Sequence, residues 1–155
     1  MHVHKFEKYW ITFGMVMLVV FLITIAIAAF ADGINPPQGR IAIDPARVAE
    51  TPPFDHPGLR RLSDGSYEAY YVARVFSFTP STLTVPVNKK IVFYVTSADV
   101  VHGMYVVKTD VNMMAEPGWV NTQTHIFYRR GTYLLLCHEY CGIGHQNMFG
   151  KIEVR

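Results

Sequence analysis

Basic runs, internal repeats and convincing amphipathic helices are all missing from this 155-residue chain, and cysteine occurs only twice. Fourteen Lys and Arg stand against twelve Asp and Glu, a formal net charge of +2. It is dispersed along the sequence, with no interleaved basic and aromatic pattern, so nucleic-acid binding is excluded as a function class. The length allows one domain and little more. Charge is missing altogether from one stretch: WITFGMVMLVVFLITIAIAAFA, residues 10–31, is 22 residues without a charged side chain. As a helix it would span roughly 33 Å at about 1.5 Å per residue, the thickness of a bilayer core. Ala29-Phe30-Ala31 looks like a signal-peptide cleavage site, but the apolar region of such a peptide is typically about 7–15 residues. The run is longer, and we read it as an anchor. Lys5 and Lys8 precede it and Asp32 follows it, so the positive-inside rule places residues 1–9 in the cytoplasm and the rest of the chain outside.

Six of the nine prolines fall in residues 32–66, among scattered charges and little apolar periodicity. This stretch reads as a linker lying over the membrane surface. From residue 67 to 155 the texture changes to short β-rich runs, YEAYYVARVF, LTVP, KIVFYVTS, MYVV, VNTQTHIFY, TYLLLC and KIEVR, separated by turn residues. Many strands without an amphipathic helix predict a mainly β sandwich or barrel. At about 90 residues such a domain has a small core, which a metal or a partner would help to hold.

Both cysteines lie in one twelve-residue segment, CHEYCGIGHQNM, residues 137–148, together with two histidines, a glutamate and a methionine. The segment is a loop between the last two predicted strands. A Cys137–Cys141 disulfide would close only a short ring, removing little unfolded-state entropy, and would leave His145 and Met148 without a role. Zinc rarely takes the soft Met thioether, which suits copper better. A single blue-copper ion would use Cys141, His145, Met148 and an upstream histidine, leaving Cys137 idle. Two thiolates four residues apart can instead bridge two copper ions, each needing one imidazole and one weak donor. His102, in DVVHGMYV, and His145 can supply the imidazoles. The Met148 sulfur and a carbonyl of the intercysteine loop can supply the weak donors.

The motif CHEYCGIGHQNMFG with the upstream His102 resembles the dinuclear CuA centre of subunit II of cytochrome c oxidase, and the single N-terminal helix resembles the B family of heme-copper oxidases. The resemblance implies a cupredoxin-like domain over residues 67–155, with two coppers bound by His102, Cys137, Cys141, His145, Met148 and the Glu139 carbonyl. It further implies electrons arriving singly from cytochrome c and passing to heme in a membrane-embedded subunit I, where further copper is expected and oxygen is reduced to water with proton translocation. The setting is the plasma membrane of a prokaryote, with the copper domain periplasmic and the helix in lipid. In the wider family a glutamate at the Glu139 position contributes to a magnesium site, whereas some B-family members lack it, so both readings stay open there. In B-family oxidases a glutamate in a similar Glu-Lys-x-Trp setting lies at the mouth of a proton path, and Glu7-Lys8-Tyr9-Trp10 matches it. A membrane-tethered cupredoxin electron carrier and the CuA subunit of a nitric oxide reductase are the alternative readings.

The remaining histidines have structural readings. His138 is expected at the surface or an interface, and His125 on a strand facing solvent. His2, His4 and His56 lie in flanking or linker sequence. Residues 67–155 hold eight basic and six acidic side chains with no acidic patch. An apolar donor-docking surface that includes Ile143 and Phe149 is therefore expected around the loop.

Overall fold

The computed structural model describes residues 4–30 and 41–155. His2, Ala31, Asp32 and residues 33–40 of the expected linker lie outside the described residues. The chain divides into two compact units, one helical and one β.

The helical unit is a single α-helix, α1, Lys5–Phe30. It begins five residues before the uncharged run, so Lys5, Glu7 and Lys8 belong to its first turns. No side chain of α1 is buried, and its mean hydropathy reaches 2.8 over an 18-residue window. A helix that is apolar on every face is stable only where its surroundings are apolar, because helical hydrogen bonds satisfy its backbone but water gains nothing from its side chains. Within it Thr24 Oγ1 donates to the Val20 carbonyl at 2.9 Å. This is the one described helix long and apolar enough to cross a membrane.

The β unit is a two-sheet sandwich. The first sheet contains β1 (Ile41–Ala42), β2 (Gly58–Arg61), β3 (Tyr67–Arg74), β4 (Ser77–Thr79), β6 (Lys90–Ser97) and β9 (Trp119–Ile126). It is ordered β1-β9-β6-β3-β2, with β4 paired to β3. The second contains β5 (Thr82–Val85), β7 (His102–Val106), β8 (Asn112–Ala115), β10 (Gly131–Leu136) and β11 (Phe149–Val154), ordered β5-β11-β10-β7-β8. Two pairs are parallel, β3 with β6 and β5 with β11.

Period-two alternation fills the space between the sheets. Ala69, Tyr71 and Ala73 of β3 and Ile91, Phe93 and Val95 of β6 face Met104, Val106, Leu135, Ile152 and Val154 of the other sheet, all buried in one apolar cluster. Burying side chains of this size contributes about 1.5–3 kcal/mol each.

The proline-rich stretch departs from the linker expectation. Its described part carries β1, a 3-10 turn over Pro45–Glu50 and β2. Val48 and Phe54 pack on the outer face of the first sheet against Tyr70, Val72 and Val120, forming a second buried cluster. The physical reason is visible in β3. Tyr70 and Val72 alternate outward, so that strand is apolar on both faces and needs cover on the second one. Asp44 caps the 3-10 turn by accepting from the Ala46 N–H at 3.0 Å.

At Gly150 the two strands beside β11 leave no room. A β-carbon there would lie 2.6 Å from the Ser81 carbonyl oxygen and 3.3 Å from Leu135 Cδ2. Because the first of these is backbone, relief requires strand movement, and overpacking of this kind costs about 1–3 kcal/mol. Gly150→Ala is expected to lower the thermal midpoint of the β unit by several degrees, read by circular dichroism on the full chain in detergent. A midpoint equal to the parent's would contradict the close approach.

Candidate metal centre

The last hairpin builds the centre. β10 and β11 pair antiparallel from Gly131↔Val154 to Leu136↔Phe149. One further bond, Cys137 N–H to the Met148 carbonyl at 3.1 Å, ties both ends of the loop they enclose. Within the loop Gly142 takes φ +130°, a conformation that side chains with a β-carbon rarely adopt. Residues His145–Asn147 then form one 3-10 turn, in which the His145 N–H donates to Gly142 O and the Met148 N–H to His145 O, both at 3.0 Å. The chain folds back, placing His145 and Met148 beside Cys141. His102 arrives from the other side as the first residue of β7, fully buried.

The donors pair off symmetrically about the two sulfurs. Cys137 Sγ lies 4.0 Å from His102 Nδ1 and 3.2 Å from the Glu139 carbonyl oxygen. Cys141 Sγ lies 3.5 Å from His145 Nδ1 and 3.7 Å from the Met148 sulfur. The sulfurs are 3.9 Å apart and both cysteines are free thiols, so the disulfide reading is excluded, an S–S bond being about 2.05 Å. Ligand atoms of His102, Cys137 and Cys141 all lie within 4.8 Å of one another, close enough to hold a metal ion. The donor set is thiolate, imidazole and thioether, soft to borderline, which fits copper and argues against magnesium or calcium at this position. All six residues expected from the sequence are therefore in one place. Glu139 contributes its carbonyl there, while its exposed side chain has no carboxylate or imidazole partner among the described residues.

Metal ligation needs thiolates, and the protein alone resists them. Burial, followed by the neighbouring Cys137, pushes the Cys141 thiol up to about 11. A bound cation reverses that balance, so loading releases protons.

One member of the site is not evident from the motif. His102 Nε2 lies 2.8 Å from Asp99 Oδ1. Burial opposes ionisation of Asp99, but hydrogen bonds from His102 and from the Val75 and Val100 N–H groups outweigh it and hold its carboxyl below the usual carboxylate value. An ionised Asp99 accepts, so Nε2 carries the proton and the Nδ1 lone pair points at Cys137. The only sequence signal was an acid three residues before His102 in DVVH. Phe76 was missed too: its ring covers the loop so closely that a β-carbon on Gly144 would meet it at 2.5 Å. Likewise His138, exposed as expected, closes over Gly103, where a β-carbon would meet the imidazole at 2.5 Å. His125 differs from the solvent-facing expectation. Its side chain is 16% exposed, paired with Asp110 and packed edge-on against Phe127.

Comparison with known proteins follows the same lines. The family description "Cytochrome C oxidase subunit II, periplasmic domain" matches residues 71–154. A cytochrome c oxidase subunit 2 of Thermus thermophilus is 38% identical over 154 residues, covering 97% of this chain and 92% of the relative. The Saccharomyces cerevisiae subunit 2 is 39% identical over 75 residues, 48% of this chain and 30% of the relative. A chain in a cryo-EM structure of a heme-copper terminal oxidase dimer superposes with a TM-score of 0.76 at 30% identity, covering 97% of this chain and all of that one.

Because Asp99 fixes the ring that faces Cys137, Asp99→Asn is expected to weaken copper binding by roughly 10- to 100-fold while leaving the sandwich folded. Competition with a chromophoric chelator measures it. Parent-like affinity in the variant would show that packing alone orients His102.

Proposed function

The chain belongs to the cytochrome c oxidase subunit II family, and from that membership we propose that it carries a dinuclear copper centre through which single electrons enter a heme-copper terminal oxidase. The observation that carries this reading is the symmetric division of donors, one imidazole and one weak donor to each of two adjacent thiols. A single tetrahedral ion would need four of these donors and strand the rest.

Cys137 and Cys141 would hold the copper, which would supply one-electron transfer chemistry with little reorganisation. The protein's own part is to hold the donors still, with His102, Cys137, Cys141 and Met148 buried and His145 half-buried. His102 and His145 present Nδ1 from opposite sides of the cysteine pair. Met148, 2% exposed, and the Glu139 carbonyl complete the set as weak donors. Asp99 keeps His102 in the tautomer that leaves Nδ1 free. With every donor used, no position remains for a substrate, so oxygen chemistry belongs to a partner subunit carrying heme and further copper.

The donor is read as a cytochrome c meeting an apolar rim around the loop. Tyr140, Ile143 and Phe149 are 75%, 88% and 53% exposed beside the ligands, and side chains of this kind are costly to leave in water without a partner. The helix is read as a single pass through a prokaryotic plasma membrane, N-terminus in the cytoplasm and β unit outside, following Lys5 and Lys8. Glu7, exposed in the first turn of α1, is read as a proton-entry group at the cytoplasmic boundary. A magnesium contact through the exposed Glu139 carboxylate is a weaker reading.

Metal analysis is expected to give two coppers per chain, and the electron paramagnetic resonance spectrum of the oxidised protein is expected to show hyperfine structure from two equivalent nuclei. One copper, or hyperfine structure from one nucleus, would overturn the dinuclear reading. For Glu7, Glu7→Gln removes a titrating group and leaves the metal loop intact. Reduction of the copper centre by its donor is expected to stay fast while steady-state oxygen consumption by the assembled oxidase slows. Turnover at the parent rate across the pH range would reduce Glu7 to an anchor residue.

A further inference from the structure

At the end of the sandwich away from the metal loop, the turn between β7 and β8 and the turn between β9 and β10 enclose a cleft of about 350 Å³. Its lining includes Val107, Lys108, Arg129, Arg130, Thr132 and Leu134. Three cationic side chains line it and no acidic one does. Among the described residues no carboxylate pairs with any of the three. The acids nearest to them in the chain and across the strand are engaged elsewhere, Asp110 with His125 and Glu153 with Arg155.

Hydrogen bonds to backbone carbonyls shape the two turns that carry the cations. The Val107 N–H donates to the Leu134 carbonyl at 2.9 Å, tying one turn to the other strand. Thr109 turns the chain sharply by donating to the Val106 carbonyl from its N–H at 3.2 Å and its hydroxyl at 2.8 Å, with Lys108 between them at φ +66°. On the opposite lip the Tyr133 hydroxyl donates to the Arg129 carbonyl at 3.0 Å. Three exposed cationic side chains carried on the rim of one concavity raise the positive potential there and favour an anion.

We infer that this cleft binds a phosphate-bearing anion. A carboxylate would neutralise one of three charges, whereas a phosphate monoester or pyrophosphate brings two or three and offers paired oxygens to a guanidinium fork. The cleft is separate from electron entry. Arg129 and Arg130 precede β10 and Cys137 follows it, so the six residues Gly131–Leu136, roughly 20 Å at about 3.4 Å per residue, separate the two guanidinium-bearing residues from the thiol.

The test is calorimetric titration of the full, copper-loaded chain in detergent with inorganic pyrophosphate at about 0.15 M ionic strength, where weak long-range attraction is screened. One saturable site is expected, weakened roughly tenfold or more in the Arg129→Gln/Arg130→Gln double variant. The copper absorption should be unchanged, which also reports that the variant folds. Lys108→Gln, on the other turn, gives a second reading should the double variant misfold. A water-soluble short-chain phosphatidylglycerol distinguishes the sources. Tighter binding of pyrophosphate assigns a soluble phosphate compound, and tighter binding of the lipid analogue assigns a headgroup; either upholds the site. No saturable binding, equal affinity in parent and variants, or a poly-glutamate peptide that binds more tightly than both phosphates would overturn it.

Discussion

The bond from the Cys137 N–H to the Met148 carbonyl, 3.1 Å, is the last rung of the β10–β11 ladder and the point from which the metal loop hangs. Below it the hairpin is an ordinary sheet pair whose inward side chains, Leu135 and Ile152, are fully buried. Above it ten residues must turn back on themselves and still put two thiols, an imidazole, a thioether and a carbonyl within about 4 Å of their neighbours. A loop of that length free at either end would spread over many conformations, and each ligand would then cost conformational entropy on binding. Closing both ends at one hydrogen bond, then tightening the return with the 3-10 turn at His145–Asn147, removes most of that freedom before any metal arrives.

The candidate ligand outside the loop, His102, is held by the same logic at longer range. β7 reaches the loop because Leu136 pairs with Tyr105 and Leu135 with Val106, which leaves His102 three residues further on, level with the loop. On its other side His102 pairs with Ala115 of β8. The imidazole is thus fixed by β8 on one side of its strand and by Asp99 at its far nitrogen. Asp99 in turn is held by the Val75 N–H at 2.7 Å and the Val100 N–H at 2.6 Å, so three separate segments determine one ring orientation.

What the sequence made legible follows from how local each feature is. The anchor helix and the ligand loop were legible because each is written in one continuous segment: an uncharged run for the first, CHEYCGIGHQNM for the second. The sandwich followed from the β-rich runs, although β2 and β8 carried too little apolar alternation to be seen. Features made by distant segments were not legible. Val48 and Phe54 look like isolated apolar residues in proline-rich sequence, and only the outward-facing Tyr70 and Val72 give them a surface to cover. Asp99 is three residues from His102 in sequence, but its role depends on backbone N–H groups from two loops. His125 was assigned to solvent from strand alternation alone, and the acid that pairs with it comes from the β7–β8 turn.

Burial at the loop is selective, and the selection matches electron transfer better than catalysis. His102, Cys137, Cys141 and Met148 are all buried, at 9% exposure or less, while Tyr140, Ile143 and Phe149 between and beside them face solvent. Phe76, from the turn between β3 and β4, fills the space over Gly142 and Gly144, so the loop backbone is covered by a ring. An enzyme that binds a small substrate needs a concave opening to its reactive atoms. Here Cys137, Cys141 and Met148 are buried beside exposed Tyr140, Ile143 and Phe149, an arrangement that lets another protein approach the sulfurs through an apolar contact, and an electron needs no wider opening than that.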